Sequence, residues 1–269
     1  MIRRLLFFFF IMVPFVIVGV PVQWLIVRLG LPGWNFLPRI FHRLAAFFLG
    51  LHVNLIGEPE TGRATLVVAN HISWTDIIAI GSVADVTFVA KEELIKMPVV
   101  GLFSKLQRTI YVSPSAKAAA RNAPGEMARR MADGGAVCLF AEGQPDVGTH
   151  VMPFRSGLIA SAQTAMIEAG AKYVCIQPVT IAYTHLQGLP ITRTERPLIA
   201  WTQAKSIREN IWDILVSGTR DVTVAFGQPM PFAEGANRKA ISQQAENEVR
   251  RMLVALNRGE KFAERHDWA

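Results

Sequence analysis

The chain has 269 residues, of which 51% are hydrophobic and 18% charged, with a formal net charge of +7 and a pI near 9.8. That composition is too apolar and too sparsely charged for a freely soluble protein. A basic balance serves nucleic acid or an anionic membrane surface, but no Lys/Arg run with interleaved aromatics and no nucleic-acid-binding motif occurs, so the membrane is the expected partner and nucleic acid is not.

The opening stretch MIRRLLFFFFIMVPFVIVGVPVQWLIVRLG carries no charge from Leu5 to Val27, long enough to cross about 30 Å of hydrocarbon. It lacks the small-residue cleavage site of a secretory leader. Pro14 and Pro21 are expected to kink it, so a straight span and a bent or re-entrant hairpin are both open. Arg3 and Arg4 precede the run and Arg28 follows it, which leaves topology weakly signalled. In the next segment, Phe36, Leu37, Ile40, Phe41, Leu44, Phe47 and Phe48 recur at helical spacing, with Arg39, His42 and Arg43 on the other side. An interfacial helix and a core helix both fit this pattern.

Beyond residue 50 short β-type runs alternate with helical stretches. Strands are expected at LHVNLIG, ATLVVAN, VTFVA, RTIYVS, AVCLFAEG, YVCIQPVTIAY, RPLIAW and DVTVAFG. Helices are expected near 73–82, 97–107, 115–133, 156–169, 206–217 and 238–257, with Gly134-Gly135 as a stop and Asn237 as a start. Alternation of this kind predicts an α/β fold: a mixed, largely parallel sheet flanked by helices, behind an N-terminal membrane helix or helical hairpin. No linker divides the chain, so residues 1–50 are read as the membrane segment and 51–269 as one catalytic domain with a frayed charged tail. Cys138 and Cys175 sit in strand-like runs without metal-ligand spacing and read as reduced packing residues.

Three strand ends carry polar clusters, where α/β proteins place their sites. The first is Asn70, His71, Ser73, Thr75 and Asp76. Five positions along a helix turn the side chain through about 140°, so His71 and Asp76 can meet only if His71 lies in the turn and Asp76 in the first helical turn. Ser73 or Thr75 would then cap that helix. A carboxylate on one imidazole nitrogen fixes the tautomer and frees the other nitrogen as a base; a capping cluster with an incidental histidine is the plainer alternative. The second cluster holds Glu142, Asp146 and His150 at four-residue intervals, but Gly143, Pro145 and Gly148 exclude the helix a metal site would need. The third is Gln177-Pro178 inside an apolar strand, and a proline there marks an edge or a bulge. No G-x-S-x-G elbow and no P-loop is present, which disfavours a covalent serine hydrolase.

Taken in order, these residues resemble the glycerolipid acyltransferase family, typified by bacterial 1-acylglycerol-3-phosphate acyltransferases. Its N-H-x-x-x-x-D block is matched by Asn70, His71 and Asp76; its F-P-E-G-T-R block by Phe140, Glu142 and Gly143; its V-P-V-like strand by Gln177, Pro178 and Val179. FVAKEEL, with Lys91, resembles the stretch between the first two blocks. The resemblance covers roughly residues 50 to 230. It implies that His71 is a general base for an acceptor hydroxyl, oriented by Asp76, and that the hydroxyl attacks an acyl thioester directly without an acyl-enzyme. Asn70, Glu142, Gly143 and Pro178 are implied at the substrate site, with backbone donors or Lys91 for the oxyanion. The implied partners are acyl-carrier protein or acyl-CoA as donor, a lysolipid acceptor and the bilayer; no metal or cofactor is called for. A bacterial-type inner membrane with the catalytic domain on its cytoplasmic face is the implied location.

Two departures bear on the acceptor. The family's second and third blocks each end in an arginine associated with the acceptor phosphate; here Pro114 and Pro145 stand in those places. Proline cannot replace a bidentate arginine; Arg108 and Arg155 lie near enough in sequence to compensate. The stretches QPVTIAYTHLQGLP, RPLIAW and PFRSGL look more like the branch that acylates lyso-ornithine lipids. A catalytically silent lipid-binding protein of the same fold is the reading from another class.

Overall fold

The computed structural model describes residues 2–112, 125–131, 134–157, 159, 173–202, 204–233 and 235–260. The helices expected over 115–133 and 156–169 fall largely outside these residues, as do Ser113, Pro114 and most of the tail; residues 125–131 are helical.

The charge-free run forms one helical stretch, Ile2–Leu29, whose turn Phe8–Met12 is π-helical. The wider turn directly precedes Pro14, the kind of local rearrangement that accommodates a residue without an N–H. The prolines do not fold the run back on itself. The reversal comes at Gly30 and Gly33, both at positive φ, and helix Phe36–Leu49 returns antiparallel beside the first. Phe7 meets Phe47 and Phe8 meets Phe48, with ring centroids 4.5 and 5.1 Å apart. At the other end Gln23 Nε2 donates to the carbonyls of Trp34 and Leu106 at 2.7 and 2.9 Å. The outer face of the first helix, including Phe9, Phe10, Ile17, Val18 and Trp24, is exposed.

Helix Phe36–Leu49 is half of a core. His42, Ala45, Ala46 and Leu49, spaced for one helical face, are buried, while Phe36 and Phe47 are exposed. His42 therefore does not join Arg39 and Arg43 on a polar side, as its charge pattern predicts. Its ring lies against Gly81, where an added Cβ would come within 2.8 Å of it, and Gln107 Nε2 donates to its Nε2 at 2.7 Å. Burial holds this imidazole down at about 4.

The sheet contains, among the described residues, β1 (Leu51–Ile56), β2 (Thr65–Ala69), β3 (Val86–Lys91), β4 (Ile110–Val112), β5 (Ala136–Phe140), β6 (Tyr173–Leu186), β7 (Leu189–Pro190), β8 (Arg220–Phe226) and β9 (Met230–Ala233). Their order is β1-β8-β6-β2-β5-β3-β4, with β7 and β9 also paired to β6. β6, β2, β5, β3 and β4 run parallel, and β8 is antiparallel to β6. Every residue of β2 is buried, as expected for a central strand covered on both faces. Leu66 and Val68 face a cluster with Val249, Met252 and Leu253 of helix Arg238–Asn257; Val67 and Ala69 face Ala45, Ala46 and Ile78 on the other side.

Two sequence expectations change. RPLIAW is not a strand: Arg196–Leu198 forms a 3-10 turn, Pro197 sits well in a helical first turn, and the buried Arg196 guanidinium donates to Gly148 O and Asn257 Oδ1. Pro178 marks neither an edge nor a bulge. It lies in the long central strand β6, opposite Val68 of β2. On its other side β6 pairs with β9 at 173–176 and with β8 from Val179 onward. Pro178 occupies the gap between these two partners, where the ladder needs no donor, and its carbonyl accepts Gly227 N at 2.8 Å.

His42 generates a pH prediction. A histidine kept neutral in the fold contributes stability that is complete above its unfolded value near 6.5 and is lost as pH falls through that value towards 4. The native chain should lose stability relative to His42→Phe over this window, by an amount on the order of 2–3 kcal/mol. Thermal melts of both proteins at pH 7 and pH 4.5 check it; a constant difference refutes it.

Candidate active site

β2, β5 and β3 end at one edge of the sheet, and the chain leaving β2 makes the site. Asn70 extends the β2–β6 pairing with its side chain: Nδ2 donates to Ile181 O at 3.0 Å and Oδ1 accepts Ile181 N at 2.8 Å. The turn 71–74 follows, and helix Thr75–Val83 begins. Asp76, in its first turn, is fully buried. Its Oδ2 accepts His71 Nδ1 at 2.8 Å, Ile72 N at 2.6 Å and Ser73 N at 2.9 Å. Its Oδ1 accepts the Tyr183 hydroxyl at 2.9 Å. The carboxylate oxygen on Nδ1 sets the imidazole tautomer, with the proton on Nδ1 and a lone pair on Nε2.

The backbone of the turn is satisfied group by group. His71 N donates to Glu142 Oε2 at 2.7 Å, and His71 O accepts Asp146 N at 2.9 Å. Ile72 O accepts Trp201 N, and Ser73 O accepts Asp76 N, each at 3.0 Å. The His71 ring stacks on Phe140, with centroids 4.1 Å apart and an interplanar angle of 18°. Its side chain is 15% exposed, so one edge of a clamped ring faces outward.

Helix capping differs from expectation. Neither Ser73 nor Thr75 caps the helix, and no side chain bonds at its N-cap residue, Trp74; Asp76 instead accepts Ile72 N and Ser73 N of the turn before it. Thr75 Oγ1 pairs instead with Tyr183 Oη at 2.6 Å, and Ser73 Oγ is buried without a partner. Tyr183 is the residue sequence reading missed. It sits on the same β6 face as Val179 and Ile181, and one tyrosine on a buried aliphatic face is the signal that its hydroxyl has a partner. Burial and Asp76 raise its pKa well above the ordinary value, so it remains a donor.

Several of the expected substrate residues bond within the protein. Asn70 spends both ends of its amide on β6. Glu142, also buried, accepts His71 N and, through Oε1, Met152 N at 2.8 Å; burial pushes its carboxyl up to about 8. Pro178 is buried in the sheet. Gly143 has φ +74°, and an added Cβ would lie 2.7 Å from Arg155 Nε. The glycine thus lets the exposed Arg155 side chain lie over the loop, and no hydrogen bond or ion pair reaches its guanidinium among the described residues. Lys91 ends β3, exposed. Arg108 is elsewhere: its guanidinium lies over the Trp34 ring at 5.1 Å. Among the described residues no group of His, Cys, Asp and Glu could hold a metal. The exposed His150 stands with Nδ1 3.6 Å from Asp146 Oδ2, which is itself buried. Both cysteines are free and buried, and burial raises both thiol pKa values.

Known proteins resemble this chain over most of its length. Residues 52–182 match the family model described as Acyltransferase. The chain is 37% identical over 246 residues to a lyso-ornithine lipid O-acyltransferase of Brucella abortus, covering 91% of this chain and 92% of that one. It is 36% identical to one of Rhizobium meliloti, covering 90% and 83%. A 1-acyl-sn-glycerol-3-phosphate acyltransferase of Neisseria gonorrhoeae is 29% identical, with 78% and 77% covered. The crystal structure of the 1-acyl-sn-glycerophosphate (LPA) acyltransferase PlsC from Thermotoga maritima shares the fold, with a TM-score of 0.62 at 22% identity over 97% of this chain and 96% of that one. The chain belongs to the acyltransferase family and is an acyltransferase of the lysolipid type; its exposed apolar first helix points to membrane association.

Tyr183→Phe removes one donor from Asp76 and the partner of Thr75. We expect a loss of roughly 1–3 kcal/mol in stability together with slower acyl transfer, read by thermal melts and initial rates. Unchanged values for both would show that the tyrosine hydroxyl does not support the dyad.

Proposed function

We propose that the chain moves a fatty acyl group from an acyl thioester, on acyl-carrier protein or CoA, to the hydroxyl of a lysolipid, with His71 as general base. The observation that carries this is the saturated Asp76 carboxylate on His71 Nδ1, which leaves Nε2 as the basic atom. Nε2 takes the hydroxyl proton as the oxygen attacks the thioester carbonyl. Asp76 stabilises the imidazolium, and the collapsing tetrahedral intermediate expels the thiolate, which takes the proton back from Nε2. Backbone donors, or Lys91 at the end of β3, would face the oxyanion. No acyl-enzyme enters the scheme: Cys138 and Ser73 Oγ are buried.

Asn70, Glu142, Gly143 and Pro178 act in this reading as positioning residues. Arg155, over Gly143 and without a side-chain partner among the described residues, is the cation offered to an acidic headgroup. A lyso-ornithine lipid is the favoured acceptor, supported by Pro145 in place of a phosphate-binding arginine and by two relatives of that name aligned over nine-tenths of the chain. Lysophosphatidate remains the rival acceptor. The first helix would hold the domain on the cytoplasmic face of an inner membrane, where thioester donors arrive.

His71→Ala should reduce acyl transfer at least about a hundredfold while leaving the melting temperature near native. Asp76→Asn should also cripple the rate, because an amide does not stabilise an imidazolium. A folded His71→Ala that retains the native rate removes the general base. A native protein with no acyl transfer from either donor would favour the silent lipid-binding reading.

The kcat/KM ratio for lyso-ornithine lipid over lysophosphatidate should exceed one. It should fall in the double variant Pro114→Arg/Pro145→Arg, since each charge-assisted bond to phosphate contributes about 1.5–3 kcal/mol. A native preference for lysophosphatidate overturns the acceptor assignment and leaves the transfer chemistry standing.

A further inference from the structure

A cavity apart from the His71 loop opens where the start of the first helix meets the end of helix Phe36–Leu49. Its volume is about 590 Å³, and Arg3, Arg4, Arg43, Phe47, His52 and Val83 are among its walls. Three arginines from two helices thus line one space, and no carboxylate lines it. Arg4 Nη2 donates to Gly218 O at 3.2 Å, and Arg43 Nε donates to Ser82 O at 3.1 Å. These bonds fix the two stems and leave the remaining N–H groups unengaged; Arg3 makes no hydrogen bond or ion pair among the described residues. Asp221, the acidic group bound to His52, is held by His52 and His185, with Nδ1–oxygen distances of 3.1 and 3.6 Å.

The cavity adjoins the exposed apolar surface. It lies at the charged end of the exposed helix, directly before the run from Leu5 onward, and beside Phe47, which is 59% exposed. A group held by the arginines would have its apolar continuation along the exposed phenylalanines. Forked guanidinium donors match phosphate oxygens, and a headgroup-sized space is needed to bring a phosphodiester to them.

We propose that this cavity binds the phosphate of an anionic bilayer phospholipid, as a structural lipid distinct from the acceptor that His71 serves. The bound lipid fastens the start of the first helix to the end of the second. It does so at headgroup depth, and the catalytic loop takes no part. The proposal does not depend on which acceptor the enzyme acylates.

The test uses the full chain in detergent micelles. Its melting temperature is followed while short-chain phosphatidylglycerol, phosphatidylcholine or inorganic phosphate is added, because a ligand that binds only the folded state raises that temperature. Phosphatidylglycerol should give a saturable rise, and the other two should give little. Arg3→Gln/Arg43→Gln should raise the half-maximal phosphatidylglycerol concentration at least about tenfold. Val83→Trp fills the cavity without changing a charge and should do the same, which diffuse attraction to an anionic micelle cannot explain. Arg193→Gln/Arg208→Gln, exposed and elsewhere, should keep the native response. Arg3→Gln alone removes no intramolecular bond and serves if another variant fails to fold. Equal rises with phosphatidylcholine, a rise reproduced by phosphate alone, or a phosphatidylglycerol rise that survives both cavity variants would each overturn the proposal.

Discussion

The buried carboxylate of Asp76 is the constraint on which the rest depends. It takes the His71 ring, two turn N–H groups and a tyrosine hydroxyl. A buried charge is tolerated only when its lone pairs are used, and here the four donors come from a turn, a side chain and a distant strand. The same bonds close the turn before the helix and hold the imidazole.

The long strand β6 makes this possible. It supplies Ile181 to the Asn70 amide and Tyr183 to Asp76, two positions apart on one face. It can extend past its neighbours because its partners change: β2 covers one side up to Val179, while β9 and then β8 cover the other. Pro178 falls at that change. The loop after β5 contributes Glu142, whose two oxygens tie the His71 turn to Met152. Trp201 and Asn210 brace the far side, the latter by accepting Trp74 Nε1. A histidine gripped at its backbone, ring face and Nδ1 keeps little freedom.

The N-terminal helices join an exposed apolar surface to the core of the sheet. Small residues permit it: Ala45 and Ala46 against the sheet, and Gly81 beneath His42. Helix Phe36–Leu49 consequently has two buried relationships, one with the core and one with the first helix. Its sequence pattern is ambiguous because both partners are apolar. Only the smaller side chains distinguish the face that packs on protein from the face that carries exposed Phe36 and Phe47.

What the sequence determined by itself was local or ordered along the chain. The alternation of apolar runs and helical stretches specified a mixed α/β sheet, because side-chain periods of two and 3.6 are written into each element. The order of Asn70-His71, Asp76, Phe140-x-Glu142-Gly143 and Gln177-Pro178 specified the acyltransferase family. His71 and Asp76 were legible as partners because five residues can close a turn. Tertiary structure decided what depends on distant residues. Tyr183 reaches Asp76 from 107 positions away, and no local pattern records that distance. Asn70 and Glu142 looked like substrate ligands, yet their polar atoms go to backbone groups of other strands and loops. Arg155 and Arg108 looked equivalent until folding put one over Gly143 and the other over Trp34. His42 was polar by type and buried by packing, because the glycine that receives its ring is 39 residues further along the chain.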